Sequence, residues 1–552
     1  MHSIFCRYTS ALMNLSSMNV GLFNDKRYGY FTALLLLLLA VITIKFRNPV
    51  PYDETRYLAV AWEMWRDQQF LIPHLNGEIY ADKPPLLFWL ININWYLAGV
   101  NEWFPRAIPF IFSGINIFLT GYIASILWPE QPQIRRLAPL VLFAMPVWFF
   151  YSTPLLFDML QVCFVLISIT GLLKFHHKFY GTILFGVATG LGFLLKGPVI
   201  FLYVLPLAIL LPFWNTQYIY GYGRLTIQIL AALLLSLCII LMWIVPVIYT
   251  IGFEKLTSLF WHQTADRIVN ATSHSRPLWW YLYFLPLILF PWFYKKESLK
   301  LFRIRKSHIT PPLLLCLLWL FVPFVLFSLI DAKQLHYLLP LLPALSLLFS
   351  CSLANNQDGI TNGNNVMLGI LYTFIGTGVL IYTLLASSNN KSWVLNVPVF
   401  WTFITLISGF ILLFFRKMIL KFPVFLPATL TICVMFSIYT CVLLAPRPFT
   451  NLKPFSQKLA TLQSQNIPLG NIGTHREQFE FMGRLKTSID KVDSRNVKEW
   501  ARMHPDGFLI AKIKESELKH KEIEYYYSQP YRFTHVLLLI SSKDVIDNNY
   551  KL

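Results

Sequence analysis

Long apolar runs, which recur along the chain from Tyr30 to Leu444, constrain the fold more than any other feature of this sequence. Many of them approach the roughly 20 residues that an α-helix needs to cross a bilayer. Strands of a membrane barrel would instead alternate apolar and polar residues over about ten residues. Only 13% of the residues are charged, whereas soluble domains have about 25%. The sequence therefore predicts a polytopic α-helical membrane protein.

The basic residues predict how the chain threads the membrane, because cytoplasmic loops carry an excess of lysine and arginine. Lys26 and Arg27 precede the first apolar run and place the N-terminus in the cytoplasm, with this run as a retained anchor. The run 84–99 is short and contains asparagine, so we expect it to lie at the outer interface. Counting it as a span would move Arg135 and Arg136 to the outer side. We expect about thirteen spans, near residues 29–46, 106–128, 137–154, 157–174, 180–195, 197–213, 225–250, 278–294, 312–330, 336–353, 366–386, 397–415 and 423–445.

These spans divide the chain into three regions. Residues 1–28 form a cytoplasmic segment, 29–445 a transmembrane domain with a large first outer loop at 47–105, and 446–552 an outer α/β domain. In the last region charged residues become more frequent, and "GFLIAKI" and "THVLLLISS" predict short buried strands. The net charge of +19 could indicate a nucleic-acid partner. Because basic residues cluster at the ends of apolar runs, we expect them to orient the membrane spans, and we expect no nucleic-acid partner.

Polar and ionisable residues gather on the predicted outer side, at or near the ends of the spans. Such residues are costly beside lipid and usually face a cavity or a partner. Cations suit a lipid-linked phosphate, whereas carboxylates suit sugar hydroxyls, an amine or proton transfer. The residues come from five separate segments, and we expect them to meet in one site: Asp53, Glu54, Arg56, Tyr57, Tyr80, Asp82 and Lys83 in the first loop, Asp158, Lys196, then His262 and Arg267, and finally Lys333, His336 and Tyr337.

Each of these residues also has a structural explanation. The cations could extend their charged ends to the interface from otherwise apolar surroundings, and the tyrosines could belong to the aromatic belt of the membrane. A single histidine in a loop is more often a hydrogen-bonded loop residue than a ligand. Asp158 is harder to explain in this way, because apolar residues lie on both sides of it in "PLLFDML". We therefore favour a functional role for Asp158.

Two motifs of the first outer loop, "DETRYLAVAWEMW" and "PHLNGEIYADKPPLLFWL", resemble those of a known enzyme family. The family is that of GT-C-type glycosyltransferases related to protein O-mannosyltransferases, in the branch that contains lipid A 4-amino-4-deoxy-L-arabinose transferases. Further segments follow in the same order: "FPRAIPFIFSG", "FDMLQVCF", "LGFLLKGP", "WHQTADR" and "KQLHYLLPLLPAL". The resemblance covers roughly residues 30–445 and extends to the outer α/β domain.

This resemblance implies an inverting transferase that moves a sugar, 4-amino-4-deoxy-L-arabinose, from undecaprenyl phosphate to a lipid A phosphate at the periplasmic face of a bacterial inner membrane. It implies a divalent metal, zinc, held by His262 and Asp82, although the family pattern has glutamate at the second position. The remaining roles that we expect are catalysis by Asp53 and Asp158, donor-phosphate binding by Arg56, Tyr57, Lys83, Lys196, Arg267 and Tyr337, and lining of the substrate cavity by Glu54, Tyr80, Lys333 and His336.

Other functions stay open on the sequence alone. A related enzyme could transfer hexosamine or mannose to lipid A, another glycan or a protein. A secondary transporter would show internal repeats and charges near the middle of the membrane, whereas here the charges lie at the outer edge. A purely structural protein would not explain five converging charged segments. We expect no nucleotide cofactor, because the lipid phosphate bond supplies the energy and the sequence contains no Walker A motif.

Overall fold

The computed structural model describes residues 26–177, 179–255, 257, 275–294, 309–355, 363–388, 399–415, 418–419, 422–441, 447–473, 478–518 and 523–547. Within these ranges the chain is mainly helical up to Tyr439, apart from a short hairpin in the first loop, and a sheet with short helices follows Leu452. His262 and Arg267 of the predicted site lie outside the described residues.

Helices account for most of the chain before the C-terminal sheet. A 3₁₀ turn at Trp280–Phe284 leads into the twelfth helix, and another at Leu335–Leu341 leads into the fourteenth. In chain order the helices are α1 (Lys26–Phe46), α2 (Asp53–Arg66), α3 (Leu86–Ala98), α4 (Trp103–Leu127), α5 (Pro132–Phe143), α6 (Pro146–Tyr151), α7 (Asp158–Leu173), α8 (Tyr180–Lys196), α9 (Val199–Ile209), α10 (Leu211–Trp214), α11 (Tyr222–Ile251), α12 (Leu285–Leu289), α13 (Pro311–Leu329), α14 (Leu342–Asn355), α15 (Gly363–Ser388), α16 (Val399–Phe414) and α17 (Phe425–Tyr439).

The apolar helices confirm the predicted class of a multi-pass helical membrane protein. By length and composition, six helices in the described residues can cross a bilayer: Tyr28–Phe46, Trp103–Leu127, Tyr222–Ile251, Pro311–Leu329, Leu335–Asn355 and Asn365–Leu385. Shorter apolar helices coincide with six further predicted spans: Asp158–Leu173, Tyr180–Lys196, Val199–Ile209, Trp280–Leu289, Val399–Phe414 and Phe425–Tyr439. The total of about thirteen crossings stays a prediction, because a short helix does not by itself show a crossing.

The predicted span 137–154 is not one continuous helix. It is divided between α5, which ends at Phe143, and α6, which begins at Pro146. Met145 between them has an extended backbone, as expected for a residue before proline. Proline itself is favourable at the first position of a helix. The break therefore has a local cause. After it, α6 ends at Tyr151, and only a short segment separates that residue from Asp158.

Helix α3 corresponds to the run that we expected to lie at the interface. Its 13 residues reach only about 20 Å at 1.5 Å per residue, which is less than the roughly 30 Å of a bilayer core. The ring of Trp95 in α3 stacks on the ring of Phe481, with centroids 5.2 Å apart. One face of α3 is therefore covered by the C-terminal region.

A tight hairpin follows α2 in the first loop. Strands β1 (His74–Leu75) and β2 (Glu78–Ile79) pair antiparallel around Asn76 and Gly77. Both turn residues have positive φ, +55° and +81°, which asparagine and glycine tolerate. Glu63 of α2 accepts hydrogen bonds of 2.6 Å from the backbone amides of both. The helix and the hairpin therefore form one unit.

The C-terminal region contains a five-stranded mixed sheet with the strand order β4–β3–β5–β7–β6. Strands β3, β4 and β5 run parallel, and β7 runs antiparallel to both β5 and β6. The two segments that we expected to be strands form β5 and β7, which are neighbours. In chain order the elements are α18 (Arg447–Thr450), α19 (Lys453–Ser464), β3 (Leu469–Ile472), α20 (Glu480–Gly483), β4 (Asp490–Val492), α21 (Val497–Met503), β5 (Phe508–Lys514), α22 (Glu515–Leu518), β6 (Tyr527–Tyr531), β7 (His535–Ser541) and α23 (Ser542–Asp547).

The two faces of this sheet have separate apolar cores. On one face, Ile510 and Leu539 pack with the buried side of α19, and Tyr52 of the first loop packs against the same cluster. On the other face, Leu509 and Ile540 pack with α21 and α23. The first face therefore looks toward the transmembrane domain.

Polar contacts also hold the C-terminal domain on the first loop. Asn76 donates to the carbonyl of Ile489 at 3.0 Å and accepts from its amide at 3.1 Å. The indole of Trp62 donates to the carbonyl of Leu485 at 2.9 Å. These contacts fix the domain over α2 and the hairpin, close to the predicted site.

Candidate active site

A buried ion pair joins the start of α7 to the end of α8. Lys196 Nζ lies 2.6 Å from Asp158 Oδ1, and only 8% and 7% of the two side chains are exposed. Asp158 occupies the first turn of α7, where the helix dipole favours a negative charge. Removing two charges from water is costly, so each needs the other as a partner. The two helix ends therefore bring opposite charges to one point.

Aromatic rings surround this ion pair. Lys196 Nζ lies 4.9 Å from the ring centroid of Tyr337, a cation–π contact. The ring of His336 packs edge-on against Tyr337 at 4.8 Å and against Tyr151 at 5.9 Å. The segment before α14 and the end of α6 thus close around Asp158 and Lys196.

The first turn of α2 supplies a second, more exposed pair of charges. Arg56 Nη2 lies 2.5 Å from Asp53 Oδ1, and 27% and 59% of the two side chains are exposed. The guanidinium carbon of Arg56 lies 5.7 Å from the ring centroid of Tyr57. Asp53 and Arg56 are therefore accessible to a ligand, whereas Asp158 and Lys196 are nearly enclosed.

Tyr57 links the two pairs of charges. Its ring packs edge-on against Phe157, the residue before Asp158, with centroids 4.8 Å apart. Burial raises the pKa of Tyr57, and the nearby carboxylates of Asp53 and Asp158 raise it further. The hydroxyl therefore stays protonated at neutral pH and can donate a hydrogen bond. Asp53 and Asp158 thus belong to one site.

The segment after the hairpin completes the site. Lys83 lies close enough to Asp158 to act on its charge, and its Nζ donates to the carbonyl of Asp82 at 3.2 Å. Tyr80 is buried. Burial opposes the charge of Arg56, but Tyr80 and the neighbouring acids, including Asp82, raise the pKa of this guanidinium. The first loop thus brings two cations to the site.

Most of the predicted residues lie together in the structure. The arrangement alternates cations, carboxylates and aromatic rings, which suits a phosphate next to a hydroxylated ring. The individual catalytic and binding roles stay predictions. The residues that the structure brings together are Asp53, Arg56, Tyr57, Tyr80, Asp82, Lys83, Asp158, Lys196, His336 and Tyr337.

Glu54 does not line the cavity as predicted. Both its carboxylate oxygens bind the guanidinium of Arg47, at 2.5 and 2.8 Å, and they also accept from the amides of Val50 and Leu155, each at 2.7 Å. Burial alone would raise the pKa of Glu54, but Arg47 and the two amides outweigh it and lower the pKa. Because the carboxylate is fully engaged, Glu54 has a structural role: it ties α2 to the end of α1 and to the segment before α7.

Lys333 also differs from the prediction. It is buried, and its Nζ donates to the carbonyls of Ile330 at 2.6 Å and Arg276 at 2.9 Å. Burial lowers the pKa of Lys333. The ammonium group therefore holds two backbone segments together and does not face the substrate cavity.

The predicted metal ligands are only half described. Asp82 lies close enough to Arg56 and Tyr57 to raise the pKa of both, whereas His262 lies outside the described residues. Among the described residues, no group of three or more histidine, cysteine, aspartate or glutamate side chains could hold a metal ion. The metal site stays a prediction, as does the phosphate-binding role of Arg267.

The sequence analysis does not identify Arg47 or Tyr151, which the structure adds to the surroundings of the site. Arg47 follows α1 and neutralises Glu54, and Tyr151 contacts His336. An arginine directly after an apolar span, seven residues before an acid at the start of the next helix, is a signal that could have pointed to the Arg47–Glu54 pair. Tyr151 carries no comparable signal, because its contact depends on the break between α5 and α6.

Comparison with protein families gives a match that begins in the first outer loop and ends in α11. A family model described as dolichyl-phosphate-mannose-protein mannosyltransferase matches residues 82–243. This range begins at Asp82 and includes Lys83, Asp158 and Lys196. The match covers less than half of the chain and agrees with the resemblance found in the sequence.

Curated relatives share one name. An undecaprenyl phosphate-alpha-4-amino-4-deoxy-L-arabinose arabinosyl transferase from Pseudomonas paraeruginosa is 26% identical over 344 residues, which is 60% of this chain and 61% of the relative. A protein of the same name from Yersinia enterocolitica is 27% identical over 366 residues, or 62% of this chain and 63% of the relative. The chain thus spans about three fifths of the length of these relatives.

Solved structures match over nearly the whole chain. The crystal structure of ArnT from Cupriavidus metallidurans bound to undecaprenyl phosphate has a TM-score of 0.69 at 17% identity, covering 94% of this chain and 98% of the other. The apo structure of the same protein also has a TM-score of 0.69, at 16% identity, covering 93% and 98%. The chain therefore has the GT-C-type membrane fold of ArnT, and it resembles the glycosyltransferases related to protein O-mannosyltransferases.

Proposed function

We propose that the protein is a glycosyltransferase that moves 4-amino-4-deoxy-L-arabinose from undecaprenyl phosphate to a phosphate of lipid A. The observation that carries this proposal is the buried Asp158–Lys196 pair, which lies with Asp53, Arg56 and Lys83 in one site between membrane helices. The names of the similar proteins and the undecaprenyl phosphate in a structure of the same fold support the choice of donor.

The cations of the site suit the donor. When the bond between the sugar and the lipid phosphate breaks, negative charge develops on the phosphate that leaves. Lys83, Lys196 and Arg56 can stabilise that charge, and an arginine can do so with two parallel hydrogen bonds. In a nearly enclosed site these interactions are stronger than in water. No nucleotide is needed, because the bond to the lipid phosphate already supplies the energy.

The carboxylates suit the sugar and the acceptor. A lipid A phosphate is already ionised, so it can attack the sugar carbon without losing a further proton. Asp53 and Asp158 then orient the sugar and balance its amine or the positive charge that develops on its ring. A single displacement of this kind inverts the configuration of the carbon attacked. If the acceptor were a hydroxyl group, a general base would be required, and Asp53, the more exposed acid, is the better placed for that role.

The proposed location is the periplasmic face of a bacterial inner membrane. The positive-inside pattern supports it, because the basic clusters Arg135–Arg136 and Lys174 fall on the predicted cytoplasmic side. Asp53, Asp158 and Lys196 all fall at the opposite ends of the spans.

We also propose that Asp82 and His262 hold a zinc ion. Asp82 offers a carboxylate of the type that zinc accepts, and it lies near Arg56, on the side where the donor phosphate is expected. The ion would add positive charge next to that phosphate. The described residues contain no group of three or more histidine, cysteine, aspartate or glutamate side chains that could hold a metal ion, and the steps above do not depend on the ion.

A transferase of another sugar, hexosamine or mannose, is the second candidate. It is favoured by the match of residues 82–243 to a mannosyltransferase family. Both candidates use a polyprenyl-phosphate sugar; they differ in the sugar that is moved, and the second could also use another glycan or a protein as acceptor.

The decisive experiment is a transfer assay with the full chain in lipid nanodiscs. Undecaprenyl phosphate carrying the aminoarabinose, mannose or hexosamine is supplied in separate reactions with lipid A, and the products are identified by mass spectrometry. We expect lipid A that carries one added aminopentose, and no such product from Asp158→Asn. Transfer of a hexose or hexosamine alone would establish the second candidate. Absence of transfer from all three donors would overturn the proposal.

A further inference from the structure

A cluster of basic side chains lies on the C-terminal domain, at one end of its central strands. Lys512 and Lys514 lie on β5, His535 begins β7, and Arg532 lies in the turn between β6 and β7. Strand pairing places Lys514 opposite His535. Because side chains two residues apart on a strand share a face, Lys512 and Lys514 point to the same side of the sheet. The two lysines and Arg532 are exposed.

This basic end continues the sheet face that looks toward the membrane helices. Ile510, two residues before Lys512, belongs to the apolar cluster against which Tyr52 packs. Along β5 the same face therefore changes from apolar to basic.

The basic cluster lies next to Tyr52, the residue that precedes Asp53 of the proposed active site. The guanidinium carbon of Arg532 lies 4.7 Å from the ring centroid of Tyr52, and the ring of Tyr531 packs edge-on against Tyr52 at 6.4 Å. Burial works against ionisation of Tyr52, yet its hydrogen bonds to Tyr531 and Arg532 and the charge of Lys512 lower its pKa. Tyr52 directly precedes Asp53 in the chain. The cluster therefore contacts the residue that directly precedes Asp53, the accessible acid of the site.

The charge of the cluster is positive on balance. Burial lowers the pKa of His535, and Lys512, Lys514 and Arg532 lower it further. Glu517 acts in the opposite direction, but its contact with Lys514 is 3.8 Å long and both side chains are more than half exposed. A pair of this kind contributes little, because water screens it. The cluster thus presents cations that an anionic ligand can reach.

The turn that carries Arg532 is held in a costly conformation. Arg532 and Phe533 have positive φ, +47° and +63°, which residues other than glycine rarely adopt. The amide of Arg532 donates to the carbonyl of Phe449 at 2.9 Å, and the rings of Phe449 and Phe533 stack at 5.4 Å. These contacts keep the turn in place and direct Arg532 toward Tyr52.

We propose that Lys512, Lys514, Arg532 and His535 bind the anionic headgroup of the phosphorylated acceptor lipid. The inference rests on the proposed function, since it concerns the acceptor of that reaction. A polyanionic glycolipid can place one phosphate in the proposed active site and a second anionic group on the basic cluster. Arginine and lysine are the side chains that bind phosphate most strongly. The C-terminal domain thereby selects acceptors by their second charge.

The test compares two pairs of lysines on the same domain. In Lys512→Gln/Lys514→Gln the basic cluster loses two charges, whereas Arg532 and its contact with Tyr52 remain. The matched control, Lys498→Gln/Lys543→Gln, removes two exposed charges from α21 and α23, which cover the other face of the sheet. Each variant is placed in nanodiscs, and kcat and the KM values for donor and acceptor are measured. Binding of a fluorescent phosphorylated acceptor lipid is measured separately, without donor.

We expect the cluster variant to raise the KM and the Kd for the acceptor about tenfold, as suits the loss of two phosphate contacts. Its donor KM and its kcat at saturating acceptor stay within about twofold of the wild type, and added salt weakens acceptor binding less than in the wild type. The control variant keeps wild-type values. The inference would be overturned if the cluster variant and the control variant bound the acceptor with the same Kd. It would also be overturned if the cluster variant lost binding to phosphatidylglycerol vesicles as strongly as it lost binding to the acceptor lipid. If the wild type transfers no sugar, the proposed function fails, and the binding measurement still decides the inference.

Discussion

Lys196 donates a hydrogen bond of 2.6 Å to Asp158, which lies 38 residues earlier in the chain. The pair joins the last turn of α8 to the first turn of α7, and both side chains are more than nine-tenths buried. Each charge is therefore compensated by the other and by the neighbouring aromatic rings, and that of Asp158 also by Lys83. This arrangement makes the pair both a structural element and the core of the proposed site.

Breaking the Asp158–Lys196 pair from one side should lower both stability and activity. Asp158→Ala and Lys196→Ala each leave a buried charge without its partner, which costs about 3–5 kcal/mol. The double variant removes both charges, so we expect it to be more stable than either single variant and equally inactive. Thermal unfolding in detergent and the transfer assay measure the two effects. A double variant no more stable than the single variants would show that the pair is not a coupled unit.

Substitution of Asp53 should lower activity without lowering the stability of the fold. Because its ion pair with Arg56 is exposed, it contributes only about 0–1 kcal/mol. We expect Asp53→Asn to keep the wild-type Tm within about 2 °C and to lower kcat about a hundredfold, because the variant no longer balances the charge that develops on the sugar. The control is Asp67→Asn at the other end of α2, which removes an ion pair with Arg66. If both variants lose activity equally, the loss reflects the loop as a whole and not a catalytic role of Asp53.

Glu54 should make the stability of the protein depend on pH, because its contribution is lost when its carboxylate is protonated. Its pKa is lower when the protein is folded, so its contribution is fully present above the pKa of an unfolded glutamate, about 4.3. The contribution disappears as the pH falls through the folded value. We expect Glu54→Gln to have a clearly lower Tm than the wild type at pH 7, with a difference that shrinks below about pH 4.3. Thermal unfolding across this range provides the measurement.

The comparison for Glu54 is Glu78→Gln, because Glu78 forms an exposed ion pair with Lys491. That substitution should change the Tm by about 1 °C or less at every pH. A Glu54→Gln variant with the same small effect would contradict the anchoring role of the Arg47–Glu54 pair.

Removal of the proposed zinc ion should be reversible. We expect a chelator to lower the rate of transfer and zinc to restore it, and we expect Asp82→Asn to bind less zinc than the wild type. Metal content measured by mass spectrometry is the direct readout, independent of activity. Full activity of protein that contains no metal would contradict the proposed zinc site.

The hydropathy of the sequence was sufficient to predict the class of fold. A chain in lipid must satisfy its backbone hydrogen bonds internally, so long apolar runs form helices. The same reasoning located much of the site, because charges at the ends of apolar spans, such as Asp158 and Lys196, need a partner or a ligand. The strands β5 and β7 were equally visible as short apolar segments.

The tertiary structure alone decided which of these charges serve the site and which serve the fold. Asp53 and Glu54 are neighbours in the sequence, but successive residues of a helix point about 100° apart. One therefore reaches solvent and Arg56, while the other is buried against Arg47. The docking of the C-terminal sheet over Tyr52 is likewise invisible in the sequence, since it depends on surfaces that meet only after both domains have folded.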